Sequence, residues 1–303
     1  MIVVFGSLNV DVIIGVGQLP KAGETVLGPG YHLAAGGKGA NQALAAARAG
    51  GNVTMVGAVG ADPLADTALA DLRTAGVDLA RMVRVIEPTG LASICVDAAG
   101  ENQIVVASGA NRMARADQVP DALLGPATIL VLQMETPPDE NWQLVRRARS
   151  KGARILLNVA PAAALPAEIP ELVDWLVGNE TEAQQIARQF KLSAGDARAA
   201  AAAIAAHCAT NVIVTLGGAG AEAHLKDGAR IAVPALPIKP VDTVGAGDSF
   251  VGGLAAALDR GKSLAEALRY ASVGGALACL KSGAQPSLPL LSDIESRLPE
   301  LPA

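Results

Sequence analysis

The chain has 303 residues, of which 51% are hydrophobic and 17% charged, with a formal net charge of −5. Such a composition builds one large core or two modest ones and excludes a disordered chain. The negative charge, scattered aromatic residues and lack of a basic stripe argue against a nucleic-acid partner. No apolar run reaches the roughly 18 residues that span a bilayer, so no membrane partner is expected.

Met1-Ile-Val-Val-Phe-Gly-Ser opens the chain without a basic n-region or cleavage site, and Ile2 to Gly6 reads as a buried parallel strand. Asn9 and Asp11 follow, just past the strand's carboxyl end, where open α/β sheets bind ligands. An Asn/Asp turn would use the same residues. Val12 to Val16 and the stretch near Tyr31 to Ala35, with a turn around Pro20 to Gly23 between them, read as strands without helices. Leu91 to Asp97 and Gln103 to Ala107 form a second such pair, joined by Ala98 to Asn102. The four are expected to make a small sheet that projects from the main body and covers a ligand with one face.

Between these pairs, Gly36-Gly-Lys-Gly39 leads into the helix former Ala40 to Arg48, which Gly50-Gly51 ends. The glycine spacing is wrong for a P-loop there and at Gly261-Lys-Ser263, and no dinucleotide fingerprint follows a strand. From Val53 the rhythm becomes strand then helix. Strands are predicted at Val53 to Val59, Thr128 to Gln133, Arg154 to Asn158, Trp175 to Val177 and Val212 to Leu216. Helices are predicted at Pro63 to Ala75, Pro138 to Ser150, Ala194 to Ala209 and Leu264 to Leu280. The expected fold class is α/β, with a central, mostly parallel sheet, helices on both faces and a small β lid. We expect one domain over 1–303, its lid formed by about 12–36 and 88–107.

Polar residues recur beyond the strands' carboxyl ends: Asn9 and Asp11, Glu135, Asn158, Asn179 with Glu182, and Thr215 with Gly217. Each alone reads as a turn or helix cap, but five such places on one sheet edge point to a shared cleft. Val241-Asp-Thr-Val-Gly-Ala-Gly-Asp-Ser-Phe250 supplies its chemistry. Gly245, Ala246 and Gly247 leave backbone N–H groups unscreened at the start of a helix from about Ala246 to Ala257, which makes an anion site. Asp248 adds a carboxylate in the first turn. That pairing suits phosphoryl transfer, although a tight turn with a capping acid would look the same. Cys95, Cys208 and Cys279 are odd in number and far apart, as expected of reduced thiols in a cytoplasmic protein. His32, His207 and His224 are too dispersed for a zinc site.

Taken together, these segments resemble the ribokinase-like (PfkB) carbohydrate kinases over nearly the whole chain. Gly36-Gly-Lys-Gly-Ala-Asn41 matches the family's N-terminal signature and Asp242 to Phe250 its C-terminal one. Gly6 to Asp11, Leu132 to Pro137, Asn179 to Glu182 and Gly283-Ala-Gln-Pro-Ser287 are further matches. The resemblance implies an ATP-dependent kinase acting on the primary hydroxyl of a pentose, D-ribose foremost, with Asp248 as general base. Gly245, Ala246 and Gly247 would form the anion hole, and Asn9, Asp11, Gly37, Lys38, Asn41 and Glu135 would hold the sugar.

The resemblance also assigns the cofactor sites. Asn179 and Glu182, of the N-x-x-E motif, are linked to Mg2+ and phosphate. Thr215, Gly217, Gly220, Gly247 and Ser272 would line the nucleotide site, with Ser272 where some members have histidine. A monovalent-cation site for K+ would comprise Asp242, Val244, Ala278, Lys281, Gly283 and Ser287, several through backbone carbonyls. Lys281 stands where arginine is common, and Gly178 replaces a frequent proline. A homodimer through the lid is implied as well. Fructose, pseudouridine or adenosine remain alternative substrates, since small lid residues (Ala34, Ala35, Ala92) would admit a larger group. A non-catalytic sugar-binding regulator is the reading from another class.

Overall fold

In the computed structural model, which describes residues 1–301, the chain starts in β1 (Ile2–Phe5) and passes directly into β2 (Asn9–Gly15). β3 (Tyr31–Gly36) returns antiparallel to β2, and α1 (Lys38–Arg48) follows at once. β4 (Val53–Gly60), α2 (Leu64–Thr74) and β5 (Asp78–Val85) carry the chain back through the main body. β6 (Gly90–Val96) and β7 (Asn102–Ala107) leave it again, with β6 parallel to β2 and β7 antiparallel to β6. The small sheet therefore has the order β3-β2-β6-β7.

Next come β8 (Ile129–Leu132), α3 (Pro138–Ser150), β9 (Arg154–Asn158), the short α4 (Ile169–Leu172), β10 (Trp175–Asn179) and α5 (Glu180–Gln189). α6 (Ala197–Cys208) and β11 (Asn211–Thr215) complete the alternation. β12 (Ala221–His224) and β13 (Arg230–Val233) add an antiparallel edge. Then α7 (Ala246–Asp259), α8 (Leu264–Ala278) and α9 (Leu291–Arg297) pack together at the end. The main sheet has nine strands in the order β13-β12-β11-β10-β9-β8-β1-β4-β5.

Side-chain alternation along the strands divides the interior in two. Ile2 and Val4 point into the cluster that includes Leu44, Phe250, Leu254 and Leu268 from α1, α7 and α8. Val3 and Phe5 point the other way, into the cluster with Trp142, Leu144, Ile186 and Ile204 from α3, α5 and α6. Helices thus cover both faces of a largely parallel sheet, as the strand–helix rhythm predicts. No helix among the described residues is long and apolar enough to cross a membrane.

Several elements differ from the sequence-based expectation. β5 is a half-exposed strand at the sheet edge whose polar residues, Asp78, Arg81 and Arg84, fall at every third position, so no strand alternation shows. β12 and β13 are four residues each and carry Glu222, His224 and Arg230, too short and polar to read as strands. α5 sits where only a polar motif was noted. Asn9 and Asp11 also lie inside β2 rather than in a loop. The register corrects one further expectation. Asp11 pairs with Ala34 and Ala92, so those two share its face, whereas Ala35 pairs with Val10 on the opposite face.

Candidate active site

The loop before α7 turns back on itself at Gly245, whose φ is +79°. A Cβ there would lie 2.9 Å from the Ala284 backbone, so both the conformation and the space call for glycine. The N–H of Ala246 bonds to the Thr243 carbonyl oxygen at 3.2 Å, which leaves the flanking Gly245 and Gly247 amides as the better placed anion donors. Asp248, in the first turn of α7, is only 7% exposed.

Two carboxamides from α1 hold that carboxylate. Asn41 Nδ2 donates to Asp248 Oδ2 at 2.9 Å, and Gln42 Nε2 donates to Oδ1 at 2.9 Å. Burial pushes the Asp248 carboxyl up from its ordinary value, the charge of Lys38 and the two amides pull it down, and Glu135 pushes it up again. Burial would lower Lys38, yet the carboxylates of Asp248, Glu135 and Glu182 outweigh it and hold the ammonium above its usual value. Asp11 is pushed up to about 6, chiefly by burial and then by Glu135 and Asp248. The expected sugar residues Asp11, Lys38, Asn41 and Glu135 therefore form one electrostatic group around Asp248.

Glu135 is fixed from one side: Ser7 Oγ donates to its Oε2 at 2.5 Å and the Lys38 backbone N–H at 3.1 Å. Asn9 accepts at Oδ1 from Asn111 Nδ2 at 2.8 Å, and Asn111 is itself clamped to both backbone groups of Leu8. Gly37 precedes α1 and packs its backbone against Ser7 to Asn9. Asn9 and Glu135 line a cavity of about 650 Å³ that Val106 and Asn111 also border.

A second cavity, about 220 Å³, brings together Lys38, Asn158, Asn179, Glu182, Thr215, Gly247 and Asp248. Asn179 and Glu182 form a reciprocal cap on α5. The Glu182 backbone N–H donates to Asn179 Oδ1 at 2.9 Å, and that of Asn179 donates to Glu182 Oε2 at 2.8 Å. The N-x-x-E spacing is thus a helix start as well as a cavity wall. A third cavity, about 540 Å³, adjoins through Thr215 and Gly247 and is lined by Gly217, Gly220, Ser272 and Phe250. Ser272 Oγ donates to the Pro234 carbonyl oxygen at 2.9 Å.

The Asp242 loop and the Gly283 loop meet as expected. Asp242 Oδ2 accepts from the Gly283 backbone N–H at 2.9 Å, and its Oδ1 from that of Val244 at 3.0 Å. Ser287 Oγ donates to Ala284, so its hydroxyl proton is used inside its own turn. Ala278 ends α8, and Lys281 lies two residues before Gly283. Sequence reasoning missed Ser7, Gln42, Asn111 and Gln133. Gln42 adjoins the N-terminal signature, but inside an alanine-rich helix a lone glutamine gives no sign of being buried.

A cavity bordered by Asn9 and Glu135, a buried carboxylate at a helix N-terminus and further cavities beside it make a small-molecule phosphotransferase-like site on a doubly wound sheet. The pfkB family carbohydrate kinase model matches residues 1–291, and the chain belongs to that family. It is 36% identical over 289 residues to the ribokinase of Haemophilus influenzae, covering 94% of each chain. Among solved structures, it is similar to the ribokinase of Thermotoga maritima, with TM-score 0.90, 32% identity and 98% and 99% of the two chains covered. An Arabidopsis thaliana ribokinase complexed with ribose and ATP superposes with TM-score 0.89 at 31% identity, covering 98% of both chains. The protein is a carbohydrate kinase that transfers a phosphoryl group to a sugar hydroxyl.

Proposed function

We propose that this kinase transfers the γ-phosphoryl group of ATP to the primary hydroxyl of D-ribose, giving D-ribose 5-phosphate. The observation that carries the reading is the place of Asp248: buried, held by two amides, and on the wall of the 220 Å³ cavity that adjoins the larger cavity of Gly217, Gly220 and Ser272 through Thr215 and Gly247. Asp248 takes the proton of the attacking hydroxyl. Charge developing on the phosphoryl oxygens is met by the Gly245 and Gly247 amides, the positive end of α7 and the Lys38 ammonium. Asn9, Asp11, Gly37, Lys38, Asn41 and Glu135 hold the sugar, and the unpartnered Oδ1 of Asn41 is an acceptor for one of its hydroxyls. Thr215, Gly217, Gly220 and Ser272 hold the nucleotide.

Among the described residues no three His, Cys, Asp or Glu side chains are grouped to hold a metal ion. Glu182 with Asn179 therefore suits Mg2+ that arrives on phosphates, to which it supplies neutralising charge. The backbone carbonyls of Val244, Ala278, Lys281 and Gly283, with Asp242 and Ser287, would hold K+. The Asp242–Gly283 hydrogen bond supports this, because an ion shared by the two loops would order the anion hole. The small sheet acts as a lid, its Asp11 face closing over the sugar and excluding water. Its other face exposes Tyr31, Leu33 and Val105, an apolar surface that favours a homodimer.

A second reading keeps the chemistry and changes the acceptor to another sugar or a nucleoside. It is favoured by the 650 Å³ cavity beyond Asn9 and Glu135, which is larger than a pentose requires. A sugar-binding regulator has no use for a positioned base beside an anion hole. The test is ADP release with Mg·ATP and potassium across D-ribose, 2-deoxyribose, fructose, adenosine and pseudouridine. Turnover strongest on ribose is expected, turnover strongest on a nucleoside would replace ribose, and silence on all with sugar bound would overturn the kinase reading.

A further inference from the structure

Behind Asp248 lies a chain of buried carboxamides in which Asn158 alone reaches a cavity wall, while Gln42 and Gln133 line none of the three cavities. Gln42 and Gln133 are both 0% exposed. Gln42 Nε2 donates to Asp248 Oδ1 at 2.9 Å and to Asn158 Oδ1 at 3.0 Å, so both its protons are committed. Gln42 Oε1 accepts from Gln133 Nε2 at 2.8 Å. Asn158 in turn donates from Nδ2 to the Val177 carbonyl oxygen at 3.0 Å.

These bonds fix every amide in one sense. Val177 offers only an acceptor, so Asn158 must turn its NH2 toward Val177 and its oxygen toward Gln42. Gln42 then faces two oxygens, Asn158 Oδ1 and Asp248 Oδ1, and must present its NH2 to both. Its own oxygen is left toward Gln133, which must donate. Gln133 meets that demand although its Oε1 then has no hydrogen-bond partner among the described residues. Room for this oxygen comes from Gly6, where a Cβ would lie 2.0 Å from it. A buried acceptor without a partner costs stability, so its presence marks an orientation that the rest of the network imposes.

We propose that Gln42 is a positioning residue for the general base, and that Gln133 locks the Gln42 amide in the one orientation that donates to Asp248. The donated bond has two effects. It fixes the carboxylate from behind, leaving its remaining lone pairs for the incoming hydroxyl. It also stabilises the ionised form against burial, and only the ionised form can accept a proton. The other charged groups around Asp248 are Lys38 on α1, Glu135 after β8 and Asp11 on β2, with Glu182 of α5 acting on Lys38. Substitution of Gln42 by an apolar residue leaves all of them in place.

This inference rests on Asp248 acting as base, and the experiment separates the two. Wild type, Asp248→Asn, Gln42→Leu and Gln133→Leu are compared for the pH dependence of kcat, sugar KM and thermal stability. For Gln42→Leu the ascending limb of kcat should move alkaline by about one to two pH units, the size of a lost hydrogen bond to a charged group. Turnover at neutral pH should fall at least about tenfold and recover as pH rises, with sugar KM changed by less than about threefold. Gln133→Leu, one residue further from the base, should move the limb the same way by less. It carries the test alone if Gln42→Leu does not fold. An ascending limb that superposes on wild type in the folded variants, whatever the loss in kcat, would overturn the positioning role and leave the base intact. Undiminished turnover in Asp248→Asn would remove both.

Discussion

Asp248 and Asp11 are two carboxylates of one cleft in different surroundings. Burial pushes Asp248 up, but two amide donors and a neighbouring ammonium pull it back down. Replacement by Asn keeps the shape but removes the proton acceptor. Asp248→Asn should lower kcat at least about 100-fold with sugar affinity nearly unchanged, as steady-state kinetics and sugar titration by calorimetry would show. Asp11 lacks such support and titrates near 6, about two units above its ordinary 3.8. Between those values the folded chain binds more protons than the unfolded one. Its contribution to stability is therefore complete below pH 3.8 and lost as pH rises through 6. Asp11→Asn should stabilise the free enzyme by about 1–2 kcal/mol at pH 7.5, after allowance for partial solvent access, and by little near pH 4. Urea unfolding at the two pH values measures the difference, while sugar KM should rise at least about tenfold. Most of these side chains could be read from the sequence, because Asn, Asp and Glu after short apolar strands announce a sheet edge. Gln42 and Gln133 could not. Their role depends on what faces them across the helix–sheet interface, and a glutamine in a helix looks the same whether solvated or buried.

At the scale of elements, the site exists because α1 and α7 approach closely enough for Asn41 and Gln42 to reach Asp248. Gly252, on the inner side of α7, allows it. A Cβ there would lie 2.5 Å from Ala45 Cβ and 2.6 Å from the Gln42 carbonyl oxygen. Gly252→Ala gains roughly 1 kcal/mol of helix propensity but must push two backbones apart, which costs about 1–3 kcal/mol. The variant should lose up to about 2 kcal/mol of stability in denaturant unfolding. It should also lose at least about tenfold in kcat, as the α1 amides leave the carboxylate. A variant as stable and as active as wild type would show that α1 relaxes without moving its amides. The longer helices were legible: alanine-rich runs, Pro63 and Pro138 near helix starts and glycines after helix ends mark them within a few residues, whereas the shorter α4, α5 and α9 have neither an alanine-rich run nor a glycine just past the end. The strands at the sheet edges were not. β5 and β13 are half-solvated edge strands that carry the arginines that elsewhere mark loops, and β12, inside β13, has only four residues, two of them Glu222 and His224.

For the whole molecule, the small sheet presents two unlike faces. The alternation of β2 puts Asn9 and Asp11 toward the cleft and Val10, Val12 and Ile14 away from it. The second set continues through Leu33 and Tyr31 on β3 and reaches Val105 on β7 through Ser93. Tyr31 is 70% exposed and Val105 71%, more apolar surface on one sheet face than a monomer gains from leaving in water. A second copy laid on this face would bury it and hold the lid against its neighbour, linking cleft closure to assembly. The wild-type protein should therefore sediment at twice the 30.4 kDa of one chain. Val105→Asp places an uncompensated charge on that exposed face but disturbs no core residue, since Val105 belongs to neither interior cluster. It should weaken the dimer at least about tenfold with thermal stability of the monomer unchanged, and sugar KM should rise as the lid loses its support. A wild-type chain that sediments at 30.4 kDa across the micromolar range would remove the dimer and leave the lid to close on its own.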